Sequence, residues 1–489
     1  MKRLIIRFYL SILALLGFTN LYSQNVDTNY SITIHVQSGQ NIRLKLGSNT
    51  SNQFARIVSG NTDTLVDLNN PIFEHHQYFA GVDTMTIYGK VSYFGCDGNG
   101  NNLTLIDASH NSDLYYLICS YNNLSYMDLT GNTALVTLFC DYTNQTNLDL
   151  SRFTNLIDLS CRGNSLTSLD LSGLNNLESV YCDSNSISNL ILGHLPNLVM
   201  LSCVNNSLTS LDLSGLSNLE MLYCYNNSLT SLDLLGLSNL EMLYCYNNSL
   251  TSLDLTGLSN LIVLICHLNS MENIVLNGLI NLERIYCAEN LLTNLNLSGL
   301  SNLREINCSN NQLTNLDLNG LINLDYVHIE DNNFSTSSLD SLYCSLEERQ
   351  QNYEGLIFPL RDSSSSNYSI VMATNKQNAS LKNWKIAFPD YTEIPPTTGT
   401  YNCNLGISEV NNSNISAKIY PNPLTKYLTI EADENIDRLE ILNILGQRIY
   451  SKEVKNNNST IDLSQLNQGI YIIKLFMPKG EIAYRVIKE

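Results

Sequence analysis

The chain has 489 residues, enough for about two to four domains. It is acidic, with 26 Lys and Arg residues against 45 Asp and Glu residues and a net charge of −19. Such a surface repels phosphate backbones, so nucleic acid is excluded as an expected partner. Because charged residues make up only 15% of the chain while tyrosine occurs 28 times, the placement of the uncharged residues is the more informative feature.

Residues 1–24 have the pattern of a secretory signal peptide. Three basic residues precede an apolar run at residues 10–18, and Ser23 supplies a small residue for cleavage. The run is too short to cross a bilayer comfortably, although an uncleaved N-terminal anchor is the alternative. The pattern therefore predicts export from the cytoplasm and a mature chain without a transmembrane segment.

Residues 25–95 are predicted to form a small β module that covers the first coil of the region after it. The segments SITIHV, NIRLKL and DTMTIYG alternate apolar and polar residues and are bounded by Gly, Asn and Ser. His75 and His76 are adjacent in this module. Since neighbouring residues of a strand point to opposite faces, joint metal binding by the two histidines is not expected.

A 21-residue repeat dominates the middle of the chain. Residues 208–228 and 229–249 differ only at Ser214 and Leu235. Each unit holds short extended pieces whose leucines it cannot bury alone, so the units are predicted to stack into a solenoid. Cys96 precedes the regular series of cysteines, which are Cys119, Cys140, Cys161, Cys182, Cys203, Cys224, Cys245, Cys266, Cys287 and Cys308.

The unit can be written L-x-x-L-x-C-x-x-N-x-L-T-x-L-D-L-S-x-L-x-N, and it resembles a leucine-rich repeat over residues 96–335. The variant with cysteine at the third leucine position resembles the cysteine-ladder repeats of internalin J, a bacterial adhesion protein. The resemblance implies a leucine-rich repeat solenoid with parallel strands on its concave face.

The ladder cysteines are expected to be reduced and structural. Equivalent residues of stacked strands lie about 4.8 Å apart, farther than the mean of about 3.8 Å between the Cβ atoms of a disulfide. A small polarizable thiol fits a narrow core, whereas disulfides or metal chemistry are the alternatives. An asparagine follows each ladder cysteine except Cys140 by three residues, and its amide can satisfy turning backbone groups. Thr143 breaks this series and is expected to be a local weak point.

The outward residues around the cysteines are expected to line the concave face as parallel columns of tyrosine and methionine. Tyrosine offers a large contact area at low entropic cost, so these columns are a candidate site for a protein or glycan partner. The alternative is that tyrosine simply suits a pleated surface. The candidate binding residues are Tyr181, Met200, Met221, Tyr223, Tyr225, Met242, Tyr244, Tyr246 and Tyr286.

A column of carboxylates comes from the LDL segments of the repeat. Such a column could gather Ca²⁺, because this cation takes oxygen ligands, but a solvated edge that keeps the solenoid soluble is the favoured reading. No metal site is therefore predicted. The column consists of Asp107, Asp128, Asp149, Asp170, Asp212, Asp233, Asp254 and Asp317.

Residues 336–392 leave the repeat and are predicted to cap the solenoid, with leucines at helical spacing and Trp384 in the cap interior. Cys344 and Cys403 lie outside the ladder, and whether they pair is left open by the sequence. Residues 393–416, rich in Pro, Ser and Asn, are predicted to be a linker.

Residues 417–489 are predicted to form a separate small β-sandwich of short alternating strands. The stretch resembles the C-terminal sorting domain of type IX secretion substrates, with Arg485 where that family usually has a lysine. The resemblance implies export across the outer membrane by the type IX machinery, followed by attachment to the cell surface or release. The residues that match the family motifs are Pro421, Asn422, Pro423, Gly469, Tyr471 and Lys488.

Together these features predict a secreted or cell-surface binding and adhesion protein. A structural role in an extracellular layer is the alternative, and a secreted hydrolase is a third hypothesis. Catalysis is not predicted, because the seven histidines are scattered along the chain and no nucleophile motif accompanies them. No cofactor is predicted.

Overall fold

Two compact units, Met1–Thr398 and Gly399–Glu489, divide the chain, and the boundary between them falls inside the predicted linker. The predicted signal peptide and the motif Pro421–Pro423 lie outside the described residues. The computed structural model describes residues 26–69, 75–350, 353–403, 417–420, 426–443, 447–478 and 480–488.

The N-terminal module consists of strands, as its alternating pattern predicts. These are β1 (Ser31–Val36), β2 (Asn41–Gly47), β3 (Phe54–Ser59), β4 (Thr62–Asp67), β5 (His76–Phe79), β6 (Thr84–Tyr88) and β7 (Tyr93–Gly95), and β8 (Leu103–Asp107) follows within the repeat region. β1 buries Ile32, Ile34 and Val36 and lies antiparallel to both β6 and β8. β2 pairs antiparallel with β7, so the module continues directly into the sheet of the solenoid.

One 16-stranded sheet forms the concave side of the solenoid, and successive repeats contribute parallel strands to it. The strand order is that of the coils, because each coil can bury its leucines only against its neighbours. After β7 its parallel strands are β9 (Tyr116–Ile118), β11 (Thr137–Phe139), β12 (Asp158–Ser160), β14 (Ser179–Tyr181), β16 (Met200–Ser202), β17 (Met221–Tyr223), β18 (Met242–Tyr244), β20 (Val263–Ile265), β22 (Arg284–Tyr286), β23 (Glu305–Asn307), β24 (Tyr326–His328), β25 (Gly355–Phe358) and β26 (Trp384–Ile386).

The LDL segments form strands in only some coils. β10 (Tyr126–Asp128) pairs parallel with β8. Two further parallel pairs are β13 (Ser168–Asp170) with β15 (Asn189–Ile191) and β19 (Ser252–Asp254) with β21 (Asn273–Val275). The second extended piece of the predicted repeat is therefore less regular than the first.

Free, buried thiols line the interior. Eleven cysteines, from Cys96 to Cys308, are free, and each has no exposed surface. This confirms the predicted reduced ladder. Desolvation raises the pKa of the buried thiols, so they remain protonated in the folded chain.

The predicted asparagine stack joins neighbouring coils by hydrogen bonds. Asn227 Nδ2 donates to the carbonyl oxygens of Cys224, at 3.1 Å, and of Cys203 in the preceding coil, at 3.0 Å. Its Oδ1 accepts from the backbone N–H of Leu208 at 3.0 Å. Thr143 is fully buried, and its Oγ1 donates to Cys140 O at 2.8 Å. A hydroxyl has one proton where an amide has two, so Thr143 provides fewer contacts between coils.

The C-terminal cap combines short helices with the last two strands of the concave sheet. The helices are α1 (Thr336–Ser345), α2 (Tyr368–Met372) and α3 (Gln377–Ser380). The predicted leucine face of α1 is confirmed, since Leu339 and Leu342 are buried and Ser335 caps the helix. Trp384 is buried, and its Nε1 donates to Glu347 O at 2.9 Å. Cys344 and Cys403 are both disulfide-bonded.

The C-terminal unit is a β domain, as predicted, but its described strands are joined in one five-stranded sheet and not in the two sheets of the predicted sandwich. They are β27 (Ala417–Tyr420), β28 (Tyr427–Asn443), β29 (Arg448–Asp462), β30 (Gly469–Met477) and β31 (Gly480–Lys488). The long strand β28 pairs antiparallel with three others, and its register with β29 shifts between Glu431 and Arg438. Leu428, Ile441 and Ile473 are among the residues of its separate core.

Candidate binding face

The strands of the concave sheet present alternate residues to solvent and to the interior. In β17, Leu222 and the following Cys224 have no exposed surface, whereas Met221, Tyr223 and Tyr225 are half-buried. Strands pair in register from coil to coil, so residues of one kind form columns across the face. We call the outward residues of β16, β17, β18, β20 and β22, with the residue after each adjoining cysteine, the central face.

The middle column of the central face contains a tyrosine pair. Tyr223 lies opposite Tyr244, with the ring centroids 4.7 Å apart and the planes inclined by 39°. The Tyr223 hydroxyl donates to Met242 Sδ at 3.6 Å. Burial, reinforced by Tyr244, raises the pKa of Tyr223. The rings and thioethers therefore form one continuous apolar surface that carries phenol hydroxyls.

The column of residues after the cysteines contains a stack of three rings. Tyr225 and Tyr246 lie 4.2 Å apart between centroids, and Tyr246 and His267 lie 4.5 Å apart, with planes within 11° of parallel in both pairs. The stack follows from the coil spacing of about 4.8 Å, which places one ring above the next. Burial raises the pKa of Tyr246 to about 12 and lowers that of His267, against which Glu289 acts in the opposite direction.

The structure groups most of the candidate residues and separates others. Met221, Tyr223, Tyr225, Met242, Tyr244 and Tyr246 adjoin one another across β17 and β18. Met200 is buried, with 9% of its surface exposed, so it supports the face more than it presents a contact. Ile265 of β20 lies between Tyr244 and Tyr286 in the middle column, so Tyr286 does not adjoin the tyrosine pair in that column. Burial and a hydrogen bond to Glu305 raise the pKa of Tyr286.

Tyr181 belongs to a polar stretch of the same sheet, which we define as Asp141, Ser160, Arg162, Tyr181, Asp183 and Ser202. The Arg162 guanidinium lies 4.1 Å from the Tyr181 ring centroid, and its Nε donates to Asp183 Oδ2 at 2.8 Å. Asp183 Oδ1 also accepts from the Ser202 hydroxyl and from Val204 N. This network was not predicted from the sequence, although the charged residues next to the ladder cysteines could have indicated it.

The carboxylate column stabilises turns. Asp212 Oδ1 accepts from Ser214 N at 3.0 Å, and the same contact recurs at Asp254 with Thr256 N at 2.9 Å. These hydrogen bonds lower the pKa of both carboxyl groups. Among the described residues, no group of three or more His, Cys, Asp and Glu side chains is arranged to hold a metal ion.

The sorting-motif residues that the structure describes lie at the ends of paired strands. Gly469 begins β30 and is the register partner of Lys488 at the end of β31. The Tyr471 hydroxyl donates to Asn467 O at 2.9 Å. The strand ends and the turn before β30 are thus held together.

Two families match parts of the chain. The family described as leucine-rich repeats (2 copies) matches residues 217–260, and the secretion system C-terminal sorting domain matches residues 418–489. No curated protein matches the chain. No helix in the described parts of the chain is long and apolar enough to cross a membrane.

Several solved structures are similar to the chain in part. The functional domain of InlJ from Listeria monocytogenes, described as including a cysteine ladder, is 22% identical, with a TM-score of 0.48, and the match covers 81% of this chain and 86% of that one. The leucine-rich effector YopM from Yersinia pestis is 27% identical, with a TM-score of 0.40 and coverage of 45% and 67%. The leucine-rich repeat ectodomain of a receptor kinase from Arabidopsis thaliana is 21% identical, with a TM-score of 0.34 and coverage of 61% and 47%.

Proposed function

We propose that the chain binds a protein partner through the central face. It is a leucine-rich repeat protein whose type IX secretion sorting domain directs it to the cell surface or into the medium. The observation that carries the proposal is the set of half-buried tyrosines and methionines on β17 and β18. When the chain stays attached to the cell surface, such binding serves adhesion.

The chemistry of the central face suits a protein partner. Tyrosine and methionine are enriched at protein interfaces, because they bury large apolar area while the phenol keeps a hydrogen-bonding group. The parallel stack of Tyr225, Tyr246 and His267 restrains these rings before a partner arrives, which reduces the entropy lost on binding. Met221 and Met242 favour an apolar protein surface over a glycan as the partner.

Binding rather than catalysis is proposed for this face. Its side chains are mostly phenols, thioethers and aliphatic groups, and its imidazole, His267, is stacked on Tyr246. General acid–base chemistry needs a base within hydrogen-bond reach of the group it deprotonates, and no nucleophile motif accompanies this histidine. The face is also the open side of a sheet, whereas catalytic sites usually exclude water. The type IX secretion machinery is the second proposed partner, through the sorting motifs that include Gly469, Tyr471 and Lys488.

The experiment compares variants in a binding screen. Wild type, the double variant Tyr223→Ser/Tyr244→Ser and the control Leu235→Ser are immobilised and probed with purified extracellular proteins and, separately, with glycans. Leu235 is 86% exposed outside the concave sheet, and serine is the residue of the preceding copy, so the control leaves the face intact.

We expect a protein partner whose binding is lost by the double variant and kept by Leu235→Ser. A partner that binds wild type and the double variant equally well would overturn the proposed site. Signals from glycans alone would overturn the proposed class of partner.

A further inference from the structure

The stack of rings on the central face ends abruptly at one small residue. Tyr225, Tyr246 and His267 occupy the same position in successive coils, and Ala288 occupies it in the next. His267 contacts Tyr246 with one face of its imidazole. Its other face is therefore turned toward Ala288, where the chain supplies only a methyl group.

A depression of about 350 Å³ opens at this point. It spans three coils, and we call it the end slot. Ala288, with 8% of its surface exposed, lies between the two neighbouring coils, so the slot opens at the position where the preceding coils place a ring. It is lined by Ile265, His267, Tyr286, Ala288, Glu289, Asn307 and Ser309.

The lining of the end slot includes hydrogen-bond acceptors beside the Asn307 amide. Ser309 Oγ donates its proton to Asn307 Oδ1 at 2.7 Å, so a further hydrogen bond at this oxygen must be an accepted one. Glu289 is exposed and lies close enough to His267 to influence the pKa of the imidazole. Within the described part of the chain, no hydrogen bond or ion pair engages the Glu289 carboxylate. The other nearby carboxylate, Glu305, is already 3.8 Å from Arg284 Nε.

We propose that the end slot takes the guanidinium group of an arginine from the protein partner, stacked on His267 and paired with Glu289. The inference rests on the proposed function, because it specifies which side chain that partner brings to the central face. A flat group would continue the ring stack beyond His267, and a cation would pair with the Glu289 carboxylate.

Arginine is the side chain that meets both requirements. Its guanidinium is planar, stacks on aromatic faces and presents five N–H donors in a rigid fork. The pKa of His267 is lowered by burial, so the imidazole is neutral and does not repel a cation at neutral pH. Lysine has the charge without the plane, and tyrosine has the plane without the charge. The chain as a whole has a net charge of −19, which favours a partner with a basic surface.

The position after the ladder cysteine allows a matched pair of variants. Ala288→Tyr adds the next ring to the stack and fills the end slot, and the backbone tolerates tyrosine there because Tyr225 and Tyr246 hold the equivalent positions. Val204→Tyr adds a ring at the opposite end of the same stack and leaves the end slot open. Glu289→Gln removes the charge at nearly constant shape.

The probes are three acetylated and amidated pentapeptides, Gly-Gly-Xaa-Gly-Gly, with arginine, lysine or tyrosine at the centre. Their affinities for the full chain are measured by ligand-observed NMR titration. We expect the arginine peptide to bind most tightly, to lose about tenfold in affinity with Ala288→Tyr and about threefold with Glu289→Gln, and to be unaffected by Val204→Tyr. Equal affinities for arginine and lysine, a tighter tyrosine peptide, or equal effects of the two tyrosine variants would overturn the inference.

The partner screen separates this inference from the proposed function. If Tyr223→Ser/Tyr244→Ser abolishes partner binding while Ala288→Tyr leaves it unchanged, the end slot has no role and the binding face stands. If Ala288→Tyr also weakens binding of the partner, and the control Leu235→Ser outside the central face does not, the inference is supported.

Discussion

In the concave strands, Leu222 and Cys224 point into the solenoid while Tyr223 and Tyr225 point out of it. The inner residues are nearly the same in every coil, and the thiol recurs eleven times. The outer residues change from an ion-paired network around Asp183 to the stacked rings of Tyr225, Tyr246 and His267. The interior therefore sets the stability of all coils in common, and the outer face is free to vary for recognition.

The largest expected effect is a loss of stability at high pH, which tests whether the thiols are buried in the interior. Burial raises the pKa of a thiol, so as the pH rises the thiol ionises in the unfolded chain before it ionises in the folded chain. The free energy of unfolding is therefore at its full value below the unfolded pKa and falls as the pH rises above it. Above an unfolded pKa of about 8.5, each buried thiol should lower the free energy of unfolding by about 1.4 kcal/mol per pH unit. With eleven such thiols the urea midpoint, measured anaerobically by circular dichroism, should fall steeply from about pH 8 to about pH 10. Cys224→Ala should reduce the slope by one proton, and a midpoint independent of pH would show that the thiols are not buried.

The next effect concerns the polar stretch of the outer face. Asp183→Ala leaves the Arg162 guanidinium, the Ser202 hydroxyl and the Val204 N–H without their acceptor. We expect a loss of about 3 kcal/mol in the free energy of unfolding, measured in urea. Asp183→Asn keeps an acceptor and should lose less. Equal losses for the two variants would mean that the network contributes through its charge alone.

A smaller effect, in the opposite direction, is expected at the interruption of the asparagine stack. Thr143→Asn replaces a hydroxyl, which has one proton, by an amide with two protons and a carbonyl oxygen that can bond to the neighbouring coils. It should therefore stabilise the chain by about 1 kcal/mol. Asn227→Thr is the reverse change in a regular coil and should destabilise by a similar amount. Urea unfolding measures both, and a destabilised Thr143→Asn chain would show that this coil has adapted to threonine.

The smallest effect is expected where the two near-identical repeats differ. Leu235 is 86% exposed, so Leu235→Ser should change the free energy of unfolding by less than about 0.5 kcal/mol. The adjacent Leu234 is 3% exposed, and Leu234→Ser should cost about 3 kcal/mol. Similar unfolding midpoints for the two variants would contradict the assignment of inner and outer positions.

The solenoid could be predicted because its repeat period is visible in the sequence. A 21-residue interval between cysteines, with leucines at constant offsets, assigns inner and outer positions without reference to distant contacts. The cap was harder to predict. Its helix α1 was anticipated from leucine spacing, but β25 and β26 lie outside the repeat, and they join the concave sheet because β25 pairs with β24 and β26 pairs with β25. Such pairing joins segments far apart in the chain and has no local signature.

The candidate face shows the same division. The sequence alone determined that tyrosine and methionine lie outward on successive coils, because strand alternation is a local property with a period of two residues. Only the tertiary structure decided that Met200 is buried, that Tyr181 is held by Arg162, and that the rings from Tyr225 to His267 stack and stop at Ala288. Burial and stacking depend on which side chains adjacent coils bring within a few ångströms of each other, and that is a property of the assembled sheet.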